Sequence, residues 1–377
     1  MPLFEYEPGQ PFEQRSLPSL QELELDLYVP FSDRHRSAYT RILEAQAIKA
    51  EADRTELMNI RVPGFLLLEF ISRSAILGDE PASYISTELV SLKSLEDVSE
   101  LGGRYREKLV RAFKTEHHPP TPPRSPPSRP EFDTMEQLID EMMQGSGRDS
   151  RTASNRALAR DDFRCAITRH FDRLACKRNR VLVKRRDLEQ VGAVPLRCCH
   201  ILNEGIMQGI EHGSTDERVI RKNATAGGAM TILQLFGHGD IAEIITNKDG
   251  VHDLSNIITL RSELHALFND LGVWFEATAE LNAYEVCVHD PADMLPYRYD
   301  NIVRFRDHSG RDLPLPSPRL LTLHAVCARV AHMSGATEFF DEIDRDIEEM
   351  YVMAQDGSSA RILDYALNRF SLAPSVA

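Results

Sequence analysis

The chain has 377 residues, enough for two or three packing units, and 42% of them are hydrophobic. Its net charge of −14 argues against a protein that coats nucleic acid through overall charge, so any contact with nucleic acid must be local. No run approaches the roughly 18 to 20 apolar residues of a membrane helix, and the N-terminus lacks the features of a secretory signal. Six irregularly spaced cysteines favour free thiols in a reducing compartment, so we expect an intracellular protein, nuclear or cytoplasmic, with no membrane partner.

Residues 1–115 are predicted to form a helical N-terminal module. The pattern from Phe31 to Ile76 is mostly helical, and Ser32 is a plausible N-cap. We expect Pro63 and the glycine after it to break this pattern into two helices. A further helix is expected from Leu92 to Phe113, with a break at Gly102–Gly103.

Residues 116–150 are predicted to be a proline-rich linker. The stretch from His117 to Pro130 has too much proline to pack as helix or sheet and favours an extended polyproline conformation. A spacer is the simpler interpretation, and a ligand for a proline-reading protein partner is the alternative. A short amphipathic helix, Thr134 to Met143, follows.

Residues 151–310 are predicted to form the domain that carries chemistry, and residues 311–377 a helical tail. In the strand Leu196–Leu202, alternation places His200 on one face and Cys199 on the other. Residues 204–251 are expected to be an insertion that contains two short helices. The other predicted elements are a strand ending at Thr168, a strand Val181–Val183, a hairpin of Val273–Ala277 with Tyr284–Val288, a helix from Ser317 interrupted at Gly335, and a last helix Ala360–Phe370.

A histidine, an asparagine and a second histidine follow one another in an order that can build a one-metal nuclease site. His200 lies on a strand, Asn256 on the turn into the next strand, and His265 on the following helix. Cleavage of a phosphodiester needs a base for the attacking water, and a histidine suits this role. It also needs a cation that neutralises the phosphorane and the departing oxygen. An asparagine in the turn can lock the backbone and keep the two histidines in register.

This pattern resembles the HNH endonuclease superfamily, and more closely the HNH nuclease-like domain of many fungal proteins. The resemblance is carried by Phe163–Thr168, Cys199–Ile201, Leu233–Phe236, Asn256–Leu260 and His265–Phe268. It implies an α+β fold with a ββα-metal core, a helical insertion and helical flanking segments. It also implies a metal-dependent endonuclease in which His200 is the catalytic base, Asn256 locks the hairpin and His265 binds one divalent ion, Mg²⁺ or Zn²⁺.

The remaining predicted site residues complete the metal shell and bind the substrate. Cys199 stands where many superfamily members carry an aspartate or histidine ligand, and Asp253 is a candidate to complete the shell. A thiolate is a poor ligand for Mg²⁺ and suits Zn²⁺ better. Between Arg160 and Glu189 there are ten Lys/Arg and five Asp/Glu, which predicts either a solvated face or a local phosphate-binding surface for nucleic acid, most simply DNA. The predicted contacts are Arg164, Lys177, Arg178, Arg180, Lys184, Arg185 and Arg186.

Two other interpretations remain open. The first is a degenerate HNH domain that binds a partner without catalysis, which Cys199, Asn269 in place of a frequent aspartate, and the acidic total charge favour. The second is a scaffold held by structural zinc on cysteines, although the chain has no Cys-x-x-Cys pair. The cysteines of that set are Cys165, Cys176, Cys198 and Cys199.

Overall fold

The computed structural model describes residues 15–26, 29–49, 53–114, 132–145, 149–202, 228–246 and 250–349. The chain divides into two compact units, and each is built from separated stretches. Unit 1 is drawn from Met1–Lys114, Gly205–Thr246 and Ala325–Ala377, and unit 2 from Thr115–Glu204 and Asn247–His324. The predicted insertion thus groups with the N-terminal residues, whereas a sequential division was expected.

Helices and strands are both present, as an α+β chain requires. The helices are α1 (Asp33–Ile48), α2 (Arg54–Ser72), α3 (Ser74–Leu77), α4 (Glu80–Ser91), α5 (Asp97–Lys108), α6 (Met135–Met143), α7 (Ser150–Arg160), α8 (Arg173–Arg178), α9 (Arg180–Glu189), α10 (228–235), α11 (Gly239–Thr246), α12 (Ser262–Asn269), α13 (Pro318–Ser334) and α14 (Ala336–Glu349). The strands are β1 (Phe171–Asp172), β2 (Ala193–Val194), β3 (Leu196–His200), β4 (Ile257–Arg261), β5 (Val273–Ala277), β6 (Ala283–Val288) and β7 (Ile302–Arg304).

In unit 1, the expected start of α1 is confirmed, but the expected helix break is wrong. The Ser32 hydroxyl accepts a hydrogen bond from the backbone N–H of His35 and so caps α1. Helix α2, however, continues through Pro63. A proline there cannot donate to the carbonyl of Asn59. That carbonyl lies where α5 approaches so closely that a Cβ on Gly102 would collide with it.

Gly102 and Gly103 therefore lie inside α5, and the break expected at this pair is also wrong. Both are buried, and Arg106 one turn later donates to the Asn59 side chain at 2.6 Å. The absence of a side chain at Gly102 lets α5 pack at close range against the proline-containing turn of α2. Tertiary packing therefore outweighs the poor helix propensity of proline and glycine here.

Buried charge in unit 1 is neutralised within the unit. Glu69 is fully buried on α2 and forms ion pairs with Arg73 and Arg329. The α10 region joins the same core, since the Phe236 ring lies 5.2 Å from the Phe70 ring. The side chains of Glu69, Arg73 and Arg329 are all buried, as expected for a structural module.

Unit 2 contains three small sheets and the helices around them. Strand β1 pairs with β2 in parallel, β3 pairs with β4 antiparallel, and β5, β6 and β7 form an antiparallel meander. The predicted hairpin is confirmed as β5 and β6. Helix α6 begins with the capping box of Thr134 and Gln137. Helix α13 ends at Ser334, one residue before the predicted break at Gly335.

Two predicted strands of unit 2 are absent from the described residues. Val181–Val183 lies in α9, because the Asn179 side chain accepts from the backbone N–H of Leu182 and caps that helix. The segment that ends at Thr168 is a turn with one isolated bridge between Arg164 and Phe171. Both errors arose because β-branched and apolar residues outweighed the capping residue ahead of them.

Several predictions fall on residues outside the described part. These are the polyproline linker through residue 131 and the last helix at 360–370. Within the described residues, no helix combines the length and apolar character needed to span a bilayer.

Candidate functional site

Strands β3 and β4 and helix α12 carry the two predicted histidines of unit 2, and Asn256 directly precedes β4. His200 at the end of β3 is opposite Ile257 at the start of β4, and Cys199 is opposite Ile258. Helix α12 begins at Ser262, directly after β4. The described chain therefore holds the expected order of a histidine on one strand, an asparagine before the return strand and a histidine on the next helix.

Asn256 joins the two ends of the strand pair. Its side chain is buried, its Oδ1 accepts from the backbone N–H of Leu202 at 2.8 Å, and its Nδ2 donates to the Leu202 carbonyl at 3.2 Å. The backbone N–H of Ile201 also donates to the Asn256 carbonyl at 2.8 Å. One side chain thus satisfies both backbone groups of Leu202, 54 residues away, whereas the sequence predicts bonds to the local backbone of the turn.

His200 forms a pair with a histidine that the sequence analysis did not use. Its Nε2 lies 3.1 Å from Nδ1 of His252, and the ring centroids are 5.2 Å apart. One nitrogen of the pair must carry the proton that the other accepts, so at most one of the two atoms is protonated. Both side chains are partly exposed, so the pair lies at the surface of unit 2.

On the other face of β3, Cys199 is completely buried. Burial raises the pKa of its thiol well above the usual range, so the thiol is neutral at pH 7. Its Sγ lies 3.9 Å from Oδ1 of Asn269, at the end of α12, and points the S–H toward that amide.

His265 lies one helical turn before Asn269 and completes a chain of three side chains. Its Nε2 is 3.3 Å from the Asn269 Nδ2. Burial, with a smaller contribution from Arg197, lowers the pKa of His265 to about 4. The imidazole is therefore neutral at pH 7, and its Nε2 accepts from the amide. We call this Cys199–Asn269–His265 set the thiol–amide–imidazole chain.

Asp253 does not join this chain. Its carboxylate accepts from the backbone N–H of Ser255 at 2.9 Å and caps the 3₁₀ turn Leu254–Asn256. Among the described residues, no group of three or more His, Cys, Asp or Glu side chains is placed to hold a metal ion. The structure therefore brings Cys199 and His265 to one amide and leaves the predicted third ligand elsewhere.

The chemistry of the chain decides which ion it would suit. A neutral imidazole, an amide oxygen and a thiol offer one nitrogen, one oxygen and one sulfur. Mg²⁺ takes oxygen ligands, whereas Zn²⁺ accepts all three types and deprotonates a thiol that ligates it. This donor set fits Zn²⁺ and does not fit Mg²⁺. The set of four cysteines for a zinc scaffold is not assembled in the described chain, where none of the six cysteines forms a disulfide.

The predicted phosphate-binding residues are mostly neutralised by carboxylates of unit 2. Their ion pairs are Arg164 with Glu189, Arg178 with Glu141, Arg185 with Asp162, and Arg186 with Asp187. Lys177, Arg180 and Lys184 are exposed. The excess of positive charge that the sequence shows in this stretch is therefore much reduced in the folded chain.

Sequence reasoning missed His252 and the role of Asn269. His252 lies four residues before Asn256, in a loop whose path the sequence did not indicate. Asn269 carried a usable signal, because a residue four positions after His265 shares its helix face. Searches of protein-family models, of curated proteins and of solved structures found no match to this chain.

Proposed function

We propose that unit 2 is an HNH-type nuclease domain that hydrolyses phosphodiester bonds of nucleic acid. The observation that supports this proposal is the strand–strand–helix arrangement in which Asn256 ties the strand ends, with His200 and His265 at the two expected points. The substrate class follows from the resemblance to HNH endonucleases and from the suitability of this residue set for phosphodiester chemistry.

In this proposal His200 accepts the proton of the attacking water. His252 lies at hydrogen-bond distance, so it fixes the His200 ring and stabilises the imidazolium that forms. Asn256 holds the end of β3 and thereby the position of the His200 side chain. His265, Asn269 and Cys199 would hold a divalent ion such as Zn²⁺, and that ion would supply neutralisation of the phosphorane and of the departing 3′ oxygen.

Plasmid nicking tests the proposal. The purified full chain is incubated with supercoiled plasmid and with Zn²⁺, Mn²⁺ or Mg²⁺ in separate reactions. We expect nicking with Zn²⁺, less with Mn²⁺ and least with Mg²⁺, because the donor set includes sulfur and nitrogen. His265→Ala should remove metal-dependent nicking, and His35→Gln on α1 is the matched control. Absence of nicking with all three metals would reject the proposal.

A second candidate function is favoured because the members of the thiol–amide–imidazole chain are bonded to one another. The Cys199 thiol is neutral, and the predicted carboxylate ligand Asp253 is used as a cap. Such a domain would bind nucleic acid or a protein without cleaving it.

The variant Cys199→Asp separates the two candidates. It places a carboxylate, the hard ligand found in many HNH enzymes, beside Asn269. If the second candidate is correct, wild type should bind an oligonucleotide without nicking DNA. If the first is correct, wild type should already nick with Zn²⁺, and Cys199→Asp should shift the metal preference toward Mn²⁺ and Mg²⁺. Cys199→Ser, with an uncharged oxygen, is the control for size.

A further inference from the structure

Unit 2 contains a small basic cleft that the strand–strand–helix site does not use. Its lining includes Arg169 from the turn before β1, Arg304 and Arg306 around the end of β7, His308 beyond it, and Asp161. The cleft encloses about 10 Å³, which is room for one water-sized group. It can admit one oxygen of a ligand and is too small for an organic molecule.

Two of the charged residues in this cleft are already neutralised. Both carboxylate oxygens of Asp161 accept from Arg160, at 2.8 and 3.0 Å. Arg304 donates to Glu280 at 2.9 to 3.0 Å. The guanidinium groups of Arg169 and Arg306, in contrast, make no hydrogen bond or ion pair with any residue that the structure describes. Two guanidinium groups at the cleft therefore have no carboxylate within ion-pair distance among the described residues.

The backbone of Arg169 has an unfavourable conformation at this position. Its φ of 58° lies in the left-handed region, which a residue with a long side chain seldom adopts. Its backbone N–H donates to the Cys165 carbonyl at 3.0 Å, so the turn fixes the position. Burial and the nearby Arg164 lower the pKa of Arg169, and the nearby Asp162 and Asp161 offset this only in part.

We propose that Arg169 and Arg306 bind a phosphate group, with one oxygen in the cleft. A guanidinium offers a planar fork of donors that matches two phosphate oxygens, and two such groups that form no ion pair with a carboxylate favour an anion. His308 adds a third donor at the rim. The phosphate is either free inorganic phosphate or part of a nucleic-acid backbone. The second source deepens the proposed nuclease function and rests on it, whereas phosphate binding itself does not.

The test uses the full chain with no divalent metal, so that cleavage cannot interfere. The variant Arg169→Asn with Arg306→Gln removes both charges, and asparagine tolerates the left-handed backbone at 169. The control Arg151→Gln with Arg173→Gln removes two exposed charges of unit 2 that lie outside the cleft. One arm measures the melting temperature in phosphate against chloride at equal ionic strength. The other measures fluorescence anisotropy of a labelled single-stranded DNA oligonucleotide at several salt concentrations.

We expect phosphate to raise the melting temperature of wild type and of the control, and not that of the cleft variant. The cleft variant should bind the oligonucleotide about tenfold more weakly, with a salt slope lower by about 1 to 2, while the control changes less than about twofold. A phosphate response without oligonucleotide binding supports the cleft as a site for the free anion.

Equal losses in the cleft variant and in the control, or none in the cleft variant, would overturn the inference. Its failure is distinguishable from failure of the nuclease proposal. A chain that binds through Arg169 and Arg306 and does not nick DNA contradicts only the nuclease proposal. A chain that nicks DNA through His200 with unaltered binding in the cleft variant contradicts only the cleft.

Discussion

Two arginines nine residues apart in unit 2 have opposite environments. Arg160 is fully buried and donates five hydrogen bonds, to both oxygens of Asp161 and to the carbonyls of Leu254, Ile257 and Pro314. Arg169 lies in a strained turn at the edge of a cleft and has no such partners in the described chain. Arg160 therefore stabilises the fold, and the side chain of Arg169 can bind a ligand.

The difference shows that charge counted along a sequence is not charge available to a ligand. The paired arginines of α8 and α9 belong with Arg160, because carboxylates of the same unit neutralise them. Asn256 belongs with them as well, since its amide group is bonded to the backbone of Leu202. We call Arg160, the paired arginines and Asn256 the frame. If the distinction is correct, substitutions in the frame reduce stability, and substitutions in the cleft reduce binding.

The largest effect is expected for Arg160→Met. The variant keeps the volume of the side chain but leaves Asp161 and three carbonyls without their donors in a buried place. We expect a loss of about 3 to 5 kcal/mol in the free energy of unfolding. Arg169→Asn should cost less than about 1 kcal/mol, because asparagine adopts the same backbone conformation. Urea unfolding measures both, and equal losses would remove the distinction between frame and cleft.

Asn256→Ala should have the next largest effect. It removes two hydrogen bonds and leaves the N–H and carbonyl of Leu202 unsatisfied, which costs about 2 to 4 kcal/mol. Asn256→Asp keeps the acceptor for the N–H but places a buried carboxylate oxygen against the Leu202 carbonyl, so its loss should be at least as large. The same unfolding curves test this. A negligible change in Asn256→Ala would show that the asparagine does not lock the strand pair.

The pH dependence of stability tests whether His265 belongs to the frame. Its folded pKa of about 4 lies below the unfolded value, so its contribution is present above about pH 6.5 and is lost as pH falls toward 4. The loss between about pH 7.5 and 5 should be about 2 kcal/mol.

Buried His324, whose pKa is lowered to about 3, adds a loss in the same range. In His265→Asn the slope of the free energy of unfolding against pH should therefore decrease by the equivalent of about one proton and remain above zero. Stability measured by urea unfolding at both pH values decides this. If this slope is the same in His265→Asn and in wild type, the imidazole of His265 is exposed to solvent in the folded protein.

The smallest effect is expected for Arg185→Gln on α9. Its pair with Asp162 is partly exposed, so loss of the pair should cost less than about 1 kcal/mol. Oligonucleotide affinity should remain within about twofold of wild type, because this charge is already compensated. Anisotropy titration beside the cleft variant provides the comparison. A tenfold loss of affinity here would contradict the frame assignment of the paired arginines.

Local chemistry made part of this fold predictable. Ser32 caps a helix through a bond to a residue three positions later, and Asn256 lies in a turn where an amide commonly serves the backbone. Strand β3 and helix α12 follow from alternation and from helical spacing. The Ser32 cap, strand β3 and helix α12 depend on neighbours in sequence and could be stated before the structure, whereas the partner of Asn256, Leu202, lies 54 positions away and could not.

Features that depend on distant contacts could not be predicted. Helix α2 continues through Pro63 because Gly102 of another helix packs there, and no local pattern contains that information. The contact of His252 with His200 joins residues 52 positions apart. The neutralisation of Arg164 by Glu189 is likewise set by the path of α9. The sequence showed which residues could form a site, and the fold determined which of them remain available.

The most direct test of the central claim is the nicking rate of His200→Ala relative to wild type. Both proteins are assayed on supercoiled plasmid with Zn²⁺, after urea unfolding shows equal stability. A general base contributes about 10² to 10⁴ in rate, so we predict a loss of at least about a hundredfold with oligonucleotide affinity retained. A His200→Ala protein that nicks plasmid as fast as wild type would contradict the assignment of His200 as the catalytic base.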